Sequence, residues 1–321
     1  MEVKTENGKA GVLKGGYHYI SKNLGFLFFV LIGVIVILGI INPLFLTLGN
    51  GITVLRQACF LALISCGQML VILTAGVDVS LGAIIGLCSV VAAIVSKLLG
   101  AAAGWATAVL VGMAVGLFNG FVVGRFRIDS FAVTLGSMSI CTGLALIISK
   151  GLTIYDLPDA YQSLAYTDIW LIPLPVIITG IVIAVMYFVL YRIQFGRYVY
   201  AVGGNKEALR LAGVNVNRVI LWVFGGAGIL TGFCAMLLSA RVNSGAPNLG
   251  GALMMESIAA SVVGGVTFKG GVGTLGGVMV GVLFLSVLSN GFDLVGVSSF
   301  VKQVVVGSII IVAIILDQIR K

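Results

Sequence analysis

Gly104-Trp105-Ala106-Thr107-Ala108-Val109-Leu110-Val111-Gly112-Met113-Ala114-Val115-Gly116-Leu117-Phe118-Asn119-Gly120-Phe121-Val122-Val123-Gly124 contains no charged side chain. As a helix it is long enough to cross the hydrocarbon core of a bilayer, which takes about 20 apolar residues. A membrane β-barrel would instead show short segments of alternating polarity, and none occurs here. The rest of the chain is built alike. Of its 321 residues 60% are hydrophobic and 9% charged, against about a quarter charged in soluble domains. Apolar stretches recur near residues 24–42, 52–74, 81–98, 104–124, 130–148, 171–192, 218–239, 253–267, 272–291 and 299–317. The expected fold is therefore an all-α, polytopic membrane protein of about ten transmembrane helices. The eighth stretch is the weakest, being short and carrying Glu256.

Lysine and arginine set the expected orientation. Ten spans put both termini on one side. That side then holds Lys4, Lys9, Lys14, Lys22, Arg125, Arg127, Arg192, Arg197, Lys206, Arg210, Arg218, Lys269, Arg320 and Lys321, leaving Arg56, Lys97, Lys150, Arg241 and Lys302 opposite. The richer side is expected to be cytoplasmic, with residues 1–23 an N-terminal cytoplasmic segment and 24–42 a retained signal anchor. The net charge of +8 then reflects membrane orientation, and no nucleic-acid partner is expected. Residues 1–321 read as one transmembrane domain, because no polar segment is long enough for a soluble one. Cys59, Cys66, Cys88, Cys141 and Cys234 all lie in apolar stretches without a CxxC pair, so they read as small core side chains. With His18 the single histidine, no metal site is expected.

Gly112, Gly116, Gly120 and Gly124 line one face of the fourth span. Gly273, Gly277 and Gly281 repeat that spacing in the ninth, and Gly228 with Gly232 in the seventh. Small residues let helix backbones approach where lipid gives no hydrophobic drive to associate, so close packing explains the ladders without a cargo. In Thr74-Ala75-Gly76-Val77-Asp78-Val79-Ser80-Leu81-Gly82, Asp78 or Ser80 is expected to cap the third helix. An acid at membrane depth is also a candidate for the transport path. Gln68, Asn119, Ser257 and Asn290 either bond across helices or meet a solute's hydroxyls. Glu256 either pairs with Arg241 or another cation, or faces water. The glycine-rich run Gly264–Gly273 is not a nucleotide loop, because GxxxxGK[ST] occurs nowhere in the chain.

The most informative polar segment is Phe195–Val219, on the expected cytoplasmic side. Gly203-Gly204 reads as a turn, Asn205 as an N-cap, Lys206–Ala212 as a helix, and Gly213 as its stop. A helix of about two turns is not stable alone in water, so it needs packing partners. Ala208, Leu211 and Ala212 can face the membrane domain or another protein, while Lys206 and Arg210 stay at the surface.

Glu207-Ala208-Leu209, followed after three residues by Gly213, resembles the EAA–Gly pattern of bacterial ATP-binding-cassette importer permeases, with leucine for the second alanine. The flanking Gly196-Arg197-Tyr198-Val199-Tyr200-Ala201-Val202-Gly203-Gly204-Asn205 and Gly213–Arg218 resemble the ribose-type monosaccharide permease family. So do Thr74–Gly82, Asp129–Gly136, Ile258–Gly265 and Asn290–Ser299. The resemblance runs from about residue 24 onward. It implies a permease with the fold of the vitamin B12 importer class, built from inverted repeats and working as a homodimer in the bacterial cytoplasmic (inner) membrane. Residues 195–217 would be the coupling loop, with Gly203, Gly204, Asn205, Glu207, Ala208, Arg210 and Gly213 seated on a separate ATPase subunit, often a tandem one. An extracytoplasmic sugar-binding protein would deliver the cargo, docking on Arg56 and Arg241 near the outer mouth; snorkelling to headgroups is the simpler role for both arginines. Gln68, Asp78, Asn119, Glu256 and Asn290 would be pathway candidates. ATP and magnesium would be used by the partner, with no cofactor and no catalytic residue in this chain.

The competing expectation is an ion-coupled secondary transporter or channel for a small polar solute. Such proteins carry intramembrane acids or broken helices. Asp78 and Glu256 are its only support, and it leaves Asn205–Gly213 unexplained. An enzyme would need a nucleophile–base pair or a metal cluster, for which the chain offers little.

Overall fold

The structure, a computed structural model, describes Gly25 and residues 27–319, with side chains through residue 315. His18, the basic residues before Leu24 and those after Ile319 lie outside the described residues. Helices α1 (Leu27–Ile41), α2 (Leu48–Leu73), α3 (Leu81–Leu99), α4 (Ala101–Phe126), α5 (Ser130–Ser149), α6 (Asp159–Tyr166), α7 (Leu174–Tyr191), α8 (Gln194–Gly204), α9 (Lys206–Leu211), α10 (Val216–Val242), α11 (Gly251–Val263), α12 (Leu275–Val295) and α13 (Ser299–Ile319) make up nearly all of it. Seven of these are long and apolar enough to cross a membrane, and three further apolar helices near the expected positions are shorter. The chain is an all-α, multi-pass membrane protein. α11 has 13 residues, about 20 Å at 1.5 Å per residue, against a hydrocarbon core of about 30 Å.

Burial ranks the helices. Of the most apolar 18-residue window, 83% is buried in α2 and 72% in α10, but only 22% in α5 and in α7. Thus α2 and α10 form the centre and α5 and α7 the rim. Polar side chains on α2 must find partners inside the protein.

The glycine ladders pack on one another. A Cβ on Gly112 would sit 2.4 Å from the Gly228 carbonyl oxygen, one on Gly116 2.3 Å from that of Phe224, and one on Gly228 2.1 Å from that of Gly112. α4 and α10 therefore touch backbone to backbone. The third ladder is shorter than the spacing implied: Gly277 and Gly281 meet the Gly264 and Ala260 carbonyls of the α11 end, while Gly273 precedes α12 with φ +151. All five cysteines are free and buried, as expected of core side chains.

Two small ribbons close the end of the bundle that carries α6. Strand β1 (Ile154–Tyr155) pairs antiparallel with β4 (Ser244–Gly245), and β2 (Asp168–Ile169) with β3 (Ile172–Pro173). The opposite end carries α8 and α9.

Candidate functional site

At the α9 end, each local feature has a chemical cause. The Asn205 side chain accepts from the Ala208 N–H at 2.9 Å, capping α9. The Gly213 backbone adopts φ +83 just after the helix, a conformation that costs glycine no side-chain clash. Glu207 and Arg210 form an i,i+3 ion pair at 2.5 Å. Leu209 and Val214 are the residues that pack onto the core. Ala208, Leu211 and Ala212 point away from it, Leu211 being 90% exposed.

Gly203-Gly204 is not the expected turn. Both residues belong to α8, and Gly203 is needed for close approach: a Cβ there would lie 2.0 Å from the Leu73 carbonyl oxygen and 2.3 Å from the Gly271 nitrogen. The Gly271 N–H donates to that same carbonyl at 2.9 Å. Tyr200 Oη donates to the Gly273 carbonyl at 3.0 Å, and the Leu275 N–H to Tyr191 Oη at 3.0 Å. α8 is thus tied to the end of α2 and the start of α12, and α9 follows directly from it.

The link between α2 and α3 holds a buried polar chain. Asp78 Oδ1 accepts from the Ser80 N–H at 2.8 Å and from Ser80 Oγ at 2.6 Å. Asn119 Nδ2 donates to Ser80 Oγ at 3.0 Å, and Ser137 Oγ donates to Asn119 Oδ1 at 2.5 Å. Ser80 occupies the N-cap of α3 without a side-chain cap bond; its hydroxyl donates to Asp78 and accepts from Asn119. The expected cap is replaced by a network joining three segments. Burial pushes the Asp78 carboxyl up to about 6, against the opposing pull of its bonds from Ser80.

Among the other pathway candidates, Asn290 exchanges two amide bonds with Asn50, at 2.9 and 3.0 Å. Ser257 Oγ bonds back to the Met254 carbonyl at 2.7 Å. Gln68 is fully buried with neither amide atom partnered.

At the α6 end, Arg56 bonds Asp168 at 2.5 Å and the Ala165 carbonyl at 2.7 Å. Arg241 lies over the Phe60 ring, 5.3 Å from its centroid. Arg241 and Glu256 both line a cavity of about 220 Å³, together with Gln57, Phe60, Ser286, Ser289 and four leucines. They are not ion-paired: the salt bridges among the described residues are Arg56–Asp168, Glu207–Arg210 and Asp293–Lys302. Gln57, Ser286 and Ser289 escaped the sequence reading. The available clue was spacing, because Gln57 and Gln68 stand eleven residues apart on one helical face.

The family model described as branched-chain amino acid transport system, permease component, matches residues 50–314. The ribose import permease protein of Haemophilus influenzae is 33% identical over 295 residues, covering 90% of this chain and 91% of the relative. The D-allose transport system permease protein of Escherichia coli is 34% identical, with 91% and 90% covered. The L-arabinose ABC transporter permease protein of Azospirillum brasilense is 36% identical, with 87% and 83% covered. No solved structure matches the chain. A chain with these helices, and with that much of its length shared, belongs to the branched-chain amino acid transport system permease family, alongside the ribose import permeases.

Proposed function

We propose that this chain is the membrane subunit of an ATP-binding-cassette importer that carries a monosaccharide, a ribose-like pentose or a related sugar, into a bacterial cell. The relatives named for ribose, allose and arabinose support that class of cargo. The chain crosses the inner membrane ten times as one domain, with both termini inside, and works as a homodimer with the fold of the vitamin B12 importers. A separate ATPase, a tandem polypeptide, binds and hydrolyses ATP with magnesium, and an extracytoplasmic binding protein delivers the sugar.

The observation that carries this reading is α9. It is capped at both ends, anchored through Leu209 and Val214, and presents Ala208, Leu211 and Ala212 to a partner. Because α8 is tied to α2 and α12, a push on α9 is passed to the spans. ATP-driven movement of the partner shifts the permease only if the partner binds one permease state more tightly than the other. Arg56, with its half-exposed partner Asp168, is the docking contact for the binding protein.

The test uses cells lacking the permease but retaining its ATPase and binding protein. Glu207→Lys combined with Gly213→Val should abolish uptake of labelled D-ribose, D-allose or L-arabinose, whichever the wild type carries. Normal uptake by that variant at normal membrane abundance would reject the coupling role.

A further inference from the structure

The stretch ahead of α7 carries an apolar run that the rest of the chain leaves uncovered. Ile169, Trp170, Leu171 and Ile172 are all exposed, Trp170 by 96%. Trp170 and Leu171 form the two-residue turn between β2 and β3. The Trp170 backbone sits at φ +61, where hairpin turns normally place glycine because a bulky side chain crowds its own backbone. Strain of that kind persists where the side chain has a use. The charge beside the turn, Asp168, is taken by Arg56, and residues 169–191 carry none. An exposed apolar run of this sort marks a surface for protein or for lipid.

Two lengths place the turn at lipid. α7 has 18 residues and so spans about 27 Å, short of a hydrocarbon core of about 30 Å. Its far end is fixed at the α8 junction, where Tyr191 Oη accepts from the Leu275 N–H. α2 reaches the same junction through Leu73, and Arg56 stands about 26 Å back along that helix. Arg56 holds both Asp168 and the Ala165 carbonyl, so the base of the hairpin lies close to one hydrocarbon thickness from the α8 end. The uncharged run beginning at Ile169 then makes up the length that α7 lacks. Backbone groups near lipid need internal partners. Here β2 and β3 bond to each other, and the Leu174 N–H donates to the Thr167 carbonyl at 2.9 Å. We propose that the β2–β3 turn is an interfacial anchor: Trp170 and Leu171 enter the boundary between headgroups and acyl chains on the side opposite α8, completing the span of α7. An indole suits that boundary, with an apolar ring and an N–H for headgroup oxygens. Naming this leaflet the outer one rests on the importer reading; the depth of the turn does not.

The test is tryptophan fluorescence of the full chain reconstituted in phosphatidylcholine vesicles. Trp105→Phe with Trp222→Phe leaves Trp170 as the last of three tryptophans. Its emission should be blue-shifted and little affected by aqueous iodide. Lipid brominated beside the headgroup should quench it about 2-fold more than lipid brominated near the chain ends, as expected of an indole at the interface. If the double variant does not fold, the difference between wild type and Trp170→Phe reads the same indole with Trp105 and Trp222 in place. Emission typical of indole in water, quenched by iodide and untouched by either brominated lipid, would overturn the anchor. Iodide quenching that is relieved by adding the binding protein, and not by lipid, would overturn it too, by assigning the turn to a protein contact. No sugar, ATPase or ion gradient enters the measurement, so its outcome stands whether or not the importer reading does. A chain that transports sugar with Trp170 in water loses the anchor alone.

Discussion

Glycines of equal standing in the sequence differ sharply once packed. Gly116 meets the Phe224 carbonyl at 2.3 Å from where its Cβ would be, whereas Gly136, on the rim helix α5, has nothing within 4 Å. Gly116→Ala should therefore force α4 and α10 apart at a cost of about 1–3 kcal/mol, lowering the melting temperature of the detergent-solubilised protein. Gly136→Ala should leave it unchanged or raise it slightly, since alanine favours the helix by about 1 kcal/mol. Asp78 makes a second residue-scale prediction. Its folded carboxyl titrates near 6, above the roughly 3.9 of an unfolded chain. The folded state then binds more protons between those values, and stability falls as pH rises from about 4 to 6. Asp78→Asn keeps an oxygen to accept both Ser80 bonds, so it should remove that part of the pH dependence. Melting curves of wild type and variant that stay parallel from pH 4.5 to 7 would contradict this.

At the scale of elements, α9 was readable in advance because its determinants are local: a capping asparagine, a stop glycine and good helix formers between. α8 was not, because Gly203-Gly204 looks like a turn until Leu73 and Gly271 are brought against it. The outward face of α9 gives the sharper prediction. Leu211 is 90% exposed, so Leu211→Asp should change stability by no more than about 0.5 kcal/mol while abolishing co-purification with the ATPase. Asn205→Ala removes a cap worth about 1 kcal/mol, loosens α9 and should weaken that association only partly. Full ATPase binding by Leu211→Asp would show that this face is not the contact.

For the whole molecule, ten apolar stretches were legible because a bilayer requires long uncharged runs, and each position holds an apolar helix. The paired ladders were only half legible: spacing showed that α4 and α10 each had a glycine face, not that the two faces meet. The cavity was hidden, since its residues come from four elements spread between Gln57 and Ser289. Arg241 and Glu256 were visible singly, but only the fold brings them to one space. Asn119 and Asn290, singled out with them, are instead consumed by bonds between segments. The central claim is that the chain is a conduit moved by a partner's ATP cycle. Its most direct measurement is sugar accumulation in sealed vesicles holding either the purified chain alone or the chain with ATPase and binding protein. The account predicts accumulation only in the complete system with ATP and magnesium. Accumulation by the chain alone, driven by a proton or sodium gradient, would contradict it.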